Sequence, residues 1–540
     1  MAAVSALAQE RPFSAEVHVT AIELTAEVVD ATGKVPSDLK PSDFVVIEDG
    51  VERAVTAVEL FDLPEAAAAA PRPAGTPAPR ATTEPARDWR LVVYVDLELS
   101  NRATIRDALN ALAREAERLV ALGVVEVVVA NPNPKRVAAT RDAKVLADAF
   151  AQVARITPQD RLARVRRDFM DQYRSFGAKA AATATRSNGP RANDIVPLNA
   201  PDPGLGGGGT KLDMNRVRPY AEQESALVAN LYGRLLRWTS RYPRRSPSGL
   251  MLVSDGFMLD PVDFYGEGTF DAREAARIRA GLSKRAAEAH EVVLRELASA
   301  GWTFFGMRGG ATASFGGDVS DHQRFGKATG NMSANVVVAA SAAPLYALAE
   351  ATGGSVEVDP RRFGTAIDRL RNRVRLTYQV PRPADTVSRR IEVRARRAGL
   401  NVNAPKWASS TSSNTSAAAR GLALLRGADD RGELPVKVDA KIDADRHAGV
   451  NGSLAIRASF EPLDALLAQL DGTSVRVTLV AAAENQPAVA THQLLRNVNL
   501  SKSRELSVLS PLHMKSGARV AVVIEELSTG VWGATVVTVN

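Results

Sequence analysis

Asp96, Glu98 and Ser100 stand at alternate positions where the apolar run Leu91-Val92-Val93-Tyr94-Val95 ends. Three oxygen-bearing side chains at that spacing, just past a strand, make a set of hard donors. A second apolar run, Gly249-Leu250-Met251-Leu252-Val253, closes in Ser254-Asp255-Gly256. If the two runs are neighbouring strands, Asp96 and Asp255 share one rim with hydroxyls between them. Hard oxygen donors converging in this way suit Mg²⁺, with Mn²⁺ or Ca²⁺ as alternatives. A structural alternative stays open, in which both aspartates cap helix N-termini and accept backbone N–H groups.

Little else in the chain supports chemistry. The six histidines, at 18, 290, 322, 447, 492 and 513, show no H-E-x-x-H spacing, and neither strand end carries a G-x-S-x-G elbow. Asp318, Asp321 and His322 cluster after a Gly-rich loop and read as a solvated loop. Cysteine is absent, which removes disulfides, thiolate metal sites and cysteine nucleophiles. The expectation is a protein that is not an enzyme. A metal-dependent hydrolase using the same rim is the remaining catalytic reading.

The elements that must position the rim follow from periodicity. Apolar runs without alternation read as parallel strands covered on both faces, and open α/β sheets gather ligands beyond the carboxyl ends of their strands. Around them the pattern predicts helices over 104–122 and 142–153, a strand over 124–130 and, after the second run, a helix over 271–300. A strand at 302–306, a helix at 342–352, a strand at 355–358 and a helix at 364–374 follow. This α/β region spans 89–374, with a long insertion at 155–245 holding a basic amphipathic helix, the run Gly206-Gly-Gly-Gly-Thr210 and a helix from about 222 to 242. Residues 9–63 read as an N-terminal β segment, 64–88 as an Ala/Pro linker, and 375–406 as strands that pair with the N-terminal segment. Residues 407–429 read as a Ser/Thr/Ala/Gly linker and 430–540 as a C-terminal β-sandwich.

Length and composition bound the rest. The 540 residues allow several domains, and 45% apolar with 24% charged residues is ordinary for a globular chain. Against 61 acidic residues stand 68 Lys and Arg, a net charge of only +7. The local basic runs Arg161–Arg167 and Arg241–Arg245 lack interleaved aromatics and read as solvated faces, so no nucleic-acid partner is expected. No stretch reaches the ~18 apolar residues of a membrane span. Ala3-Val-Ser-Ala-Leu-Ala8 reads as a truncated signal peptide over residues 1–8, and the expected location is secreted or periplasmic.

Four blocks in order carry a family resemblance: "DFVVIEDG" over Asp43–Gly50, Val93–Ser100, "MLVSDG" over Met251–Gly256, and "LYALAEATGG" over Leu345–Gly354 leading into Leu376-Thr377-Tyr378. With "RRIEVRARRAGL" over Arg389–Leu400, they resemble the von Willebrand factor A (VWA) fold, and more closely the VWA-related domain family of exported bacterial proteins, across about residues 14–405. The resemblance implies an α/β fold with a doubly wound, Rossmann-like, mostly parallel sheet. It also implies a metal-ion-dependent adhesion site (MIDAS). Its Asp-x-Ser-x-Ser motif lands on Asp96, Glu98 and Ser100, its closing aspartate on Asp255, and its lone threonine on Thr210. Glu98 departs from the motif. If it ligates, three carboxylates neutralise the ion; if it points outward, the ion loses an inner ligand. Either way the cation has less to offer a partner's acidic side chain. The expected function is an exported, non-enzymatic, adhesion-type protein-binding module with a degenerate site, its partner another protein. The alternative is a metal-free VWA scaffold for protein assembly.

Overall fold

Strands dominate both ends of the described chain and alternate with helices between. The computed structural model describes residues 20–61, 89–169, 171–172, 214–242, 247–261, 265, 284–309, 334–382, 385, 387–410, 413–427, 431–443, 450–463, 473–482, 489–500, 504–514, 518–527 and 531–539. It opens with β1 (Thr20–Val29), β2 (Phe44–Glu48) and β3 (Val51–Leu60). The α/β region runs β4 (Trp89–Asp96), α1 (Arg102–Arg114), α2 (Ala116–Leu122), β5 (Gly123–Ala130), β6 (Pro134–Thr140), α3 (Ala143–Ala154), α4 (161–169) and α5 (Met214–Thr239). It continues with β7 (Ser248–Val253), α6 (Lys284–Ser299), β8 (Trp302–Met307), α7 (Ala334–Thr352), β9 (Ser355–Glu357) and α8 (Phe363–Arg371). Strands β10 (Arg373–Val380), β11 (Arg389–Ala395), β12 (Asn401–Asn403) and β13 (Trp407–Ala408) follow, then α9 (Ser413–Leu425). The last seven strands are β14 (Val436–Asp443), β15 (Val450–Ser459), β16 (Thr473–Ala482), β17 (Val489–Val498), β18 (Glu505–Met514), β19 (Arg519–Glu526) and β20 (Trp532–Thr538).

The fold is mixed α/β. Its central sheet has the order β6-β5-β4-β7-β8-β9, parallel except for the antiparallel edge strand β6. All eight residues of β4 are buried, because helices cover both faces of the sheet. Leu91, Val93 and Val95 pack with Ile105, Leu109 and Leu112 of α1, Phe150 of α3 and Ile367 of α8. Val92 and Tyr94 face Leu231 and Leu235 of α5, Val293 and Leu297 of α6 and Leu348 of α7. Helix α5 is therefore part of the main core. This helix falls within the stretch 155–245 read as an insertion, and its Val228, Leu231, Tyr232 and Leu235 have no exposure. Residues 173–213, Thr210 among them, lie outside the described residues.

The flanking strands form one antiparallel sheet, β12-β1-β10-β3-β2-β11-β13. Here β10, which follows the α/β region, lies between β1 and β3, which precede it; Leu24 and Val58 both sit opposite Leu376. The chain leaves this sheet after β3, builds the α/β unit and returns at β10.

The C-terminal strands form a three-stranded sheet, β14-β15-β18, and a four-stranded sheet, β17-β16-β19-β20. Leu454, Ile456 and Leu506 of one sheet meet Val475, Val477, Val522 and Ile524 of the other in a shared core. The reading of 407–429 as a linker is corrected. Residues 413–425 form α9, whose Leu424 and Leu425 join Val480, Ala521, Val523 and Trp532 on the outer face of the four-stranded sheet. The helix is poor in large apolar residues because it lies close to the sheet. A Cβ on Gly421 would meet Val480 Cγ2 at 2.5 Å.

The sandwich meets the α/β unit at the amino end of β4. Arg90 Nη2 donates to the Leu527 carbonyl at 3.1 Å, Arg420 Nη2 donates to the Ser240 and Arg241 carbonyls, and Glu433 accepts from Arg136 at 2.7 Å and Arg241 at 3.1 Å. No described helix is long and apolar enough to cross a membrane.

Candidate functional site

The strand order reverses between β4 and β7, and their carboxyl ends hold the candidate residues. Open α/β sheets leave a crevice at such a switch point, because the connecting helices depart to opposite faces. Asp96 ends β4 and has no exposure. Its Oδ1 accepts the backbone N–H groups of Glu98 and Leu99, both at 3.1 Å. Its Oδ2 accepts the hydroxyls of Ser254 at 3.1 Å and Ser100 at 3.3 Å. The turn after β4 thus closes on the carboxylate at its start.

Asp255 faces it from β7. Its Oδ2 accepts the Asn101 backbone N–H at 2.8 Å and the Asn101 side-chain amide at 2.6 Å. Asn101 in turn caps α1, accepting the Thr104 N–H at 3.0 Å. The Asp255 backbone N–H donates to Ser100 Oγ at 3.1 Å, so Ser100 ties the two strand ends together. Gly256 makes the geometry possible. Its φ of +84° suits glycine, and a Cβ there would stand 2.3 Å from the Ser341 carbonyl. Asp255 Oδ1 is buried and makes no hydrogen bond of normal geometry with a described residue.

Burial pushes both carboxyls up to about 6, against the donors that favour their charged forms. The backbone N–H of Leu99 and the two serine hydroxyls oppose the rise at Asp96. Thr104, the Asn101 amide and the positive charge of Arg308 oppose it at Asp255, while Asp160 adds to it.

Glu98 goes elsewhere. It is 1% exposed, and both carboxylate oxygens are engaged by guanidiniums, Oε1 by Arg161 Nη1 at 3.2 Å and Oε2 by Arg234 Nη2. The adjoining backbone is fastened too. Gln159 N–H donates to the Leu97 carbonyl and Arg161 N–H to the Glu98 carbonyl, each at 2.8 Å. Arg234 comes from α5 and is 8% exposed, while Arg308, just past β8, is 1% exposed. Three carboxylates on this rim therefore face three guanidiniums.

No family model matches the chain, and no curated protein matches it significantly.

Of the residues the sequence singled out, the structure brings together Asp96, Ser100 and Asp255. Glu98 is adjacent but committed to arginines, and Thr210 lies outside the described residues. The donor set is a poor fit to a resident divalent cation. A carboxylate offers about four acceptor positions, and those of Asp96 are all taken by donors. What remains is Asp255 Oδ1 and residual lone pairs on Ser100 and Ser254, beside positive charge that the protein already supplies. Among the described residues, no group of three or more His, Asp or Glu side chains converges as a metal cluster.

Sequence reasoning missed Arg234, Arg161, Arg308 and Asn101, and it placed Ser254 at the second strand end without making it a site residue. A signal for the first was present. Arg234 falls on the stripe of Leu227, Leu231, Leu235 and Trp238, and a charge on a core-facing stripe demands a buried partner. Arg161 was hidden in a basic run read as a solvated face.

Proposed function

We propose that the chain is a VWA-type, non-enzymatic protein-binding module, exported from the cell, whose rim is a degenerate adhesion site working without a resident cation. The observation that carries this reading is the placement of Asp96, Ser100 and Asp255 on one rim at the switch point between β4 and β7. The strand order β6-β5-β4-β7-β8-β9, with helices on both faces, supports the doubly wound VWA fold. The engagement of Glu98 by Arg161 and Arg234 supports the metal-free form over cation-mediated adhesion. A resident Mg²⁺, Mn²⁺ or Ca²⁺ would hold a partner's carboxylate in the adhesion-type alternative; here a charged shell of protein groups stands in that place. The hydrolase alternative would have to use the same rim, whose described carboxylates are held by hydrogen bonds and guanidiniums.

The test is capture of a partner from the exported protein fraction by the full chain, with the partner identified and prepared pure. Its binding should survive EDTA and be lost on Asp96→Ala, which unties the turn after β4. Binding that EDTA abolishes would replace this reading with the cation-mediated one. Turnover of an exported substrate by the pure protein would overturn the non-enzymatic assignment.

A further inference from the structure

The guanidinium of Arg234 engages Glu98, the residue at which the rim departs from the motif. It reaches the rim from α5, in a stripe otherwise made of Leu227, Leu231, Leu235 and Trp238. Its Nη2 bonds Glu98 Oε2, and its Nε is buried without a hydrogen bond of normal geometry. Its positive charge acts on the Asp96 carboxylate and on the Tyr94 hydroxyl. One side chain thus neutralises Glu98 directly and Asp96 at longer range. An isolated buried guanidinium is costly, and an isolated buried carboxylate equally so. Each of Glu98 and Arg234 is tolerated because of the other.

We propose that Arg234 is a built-in counter-ion standing in for a divalent cation, and that the Glu98–Arg234 pair plugs a cation site whose other donors are still present. This rests on the metal-free reading of the rim given above. Removing the pair together takes away one negative and one positive charge and returns a short hydroxyl to the third position of the motif, on the rim that already holds Ser100, Ser254 and Asp255 Oδ1. Those are the oxygen donors Mg²⁺ and Mn²⁺ accept, with waters completing the shell.

The experiment is titration calorimetry of the pure full chain with Mn²⁺, comparing wild type, Glu98→Ser/Arg234→Met and the same double variant carrying Asp255→Asn. The double variant should bind one Mn²⁺ with a Kd of about 10⁻⁴–10⁻³ M, the range of weak oxygen-ligand sites. Wild type should bind at least tenfold more weakly, and Asp255→Asn should remove the gain. Arg234→Met alone provides a second route. It leaves Glu98 with Arg161, makes the rim more negative and should also raise Mn²⁺ affinity, whereas Arg234→Lys keeps the charge and should behave as wild type. A folded double variant and a folded Arg234→Met that both bind no better than wild type would overturn the proposal. So would a wild type that binds as tightly as the double variant. No partner enters this titration, so its failure is separable from failure of the protein-binding reading.

Discussion

His290 is 3% exposed, with Nδ1 2.6 Å from the Tyr232 hydroxyl, and burial pulls its ring from 6.5 down to about 4. A group whose native pKa lies below its unfolded value binds fewer protons when folded. Its contribution is therefore kept above about 6.5 and lost as pH falls toward 4. Between pH 7 and pH 5 this group alone should cost the native state about 2 kcal/mol. Asp96 and Asp255, raised to about 6, act in the opposite sense, since the stability they give when protonated is lost as pH rises through that value. Urea unfolding of wild type and His290→Gln at both pH values isolates the histidine term; equal pH dependence in the two proteins would refute it. At this scale the sequence was half legible. Asp96, Ser100 and Asp255 are read from strand ends, because position along a strand dictates position on the rim. The arginines that answer them come from α5, α4 and the end of β8, and no local spacing links residues 136 positions apart.

Helix α9 shows how an element escapes detection. Its Ser/Ala/Gly composition resembles a linker, yet small residues are what lets a helix lie close to a sheet. The counterpart signal is in β19, where Val520 to Glu526 are all buried and alternation is lost, as expected for a strand covered on both faces. Val520, Val522 and Ile524 fill the sandwich core, and Ala521 and Val523 meet the helix. Gly421→Val should lift α9 from Val480 and Ala521, lowering sandwich stability by about 1–3 kcal/mol, the usual cost of overpacking. Protection of α9 amides in hydrogen exchange would fall with it, and unchanged protection would show that the helix packs by other contacts. Long buried strands such as β4, β5 and β7 were plain in the sequence because uninterrupted Val and Leu runs leave no other reading. The edge strands β6 and β17 were not, since their partly polar residues face solvent and imitate loops.

Across the whole molecule, the α/β unit is set into the seven-stranded sheet through neighbouring strands. Phe61, just past β3, packs edge-on against Trp89, the first residue of β4, with ring centroids 5.9 Å apart. The chain between them starts and ends at one place. Replacing residues 62–88 with six Gly/Ser residues should preserve the fold and stabilise it by about 1 kcal/mol, the loop-closure entropy recovered. Thermal melts check this, and a lower melting temperature would mean that the replaced stretch contributes contacts. The exit is equally close, for Val374 at the start of β10 lies opposite Leu60 at the end of β3.

That pairing has a mechanical consequence. A pull applied between the amino-terminal strand and the C-terminal sandwich travels from β1 directly across to β10 through the register Thr20↔Val380 to Glu27↔Arg373. The α/β unit hangs beside this load path as a closed side loop. Because Thr20 and Val380 stand opposite each other at one end of this antiparallel ladder, traction along the chain opens it pair by pair toward Glu27↔Arg373 before the covalent path through the α/β unit is loaded.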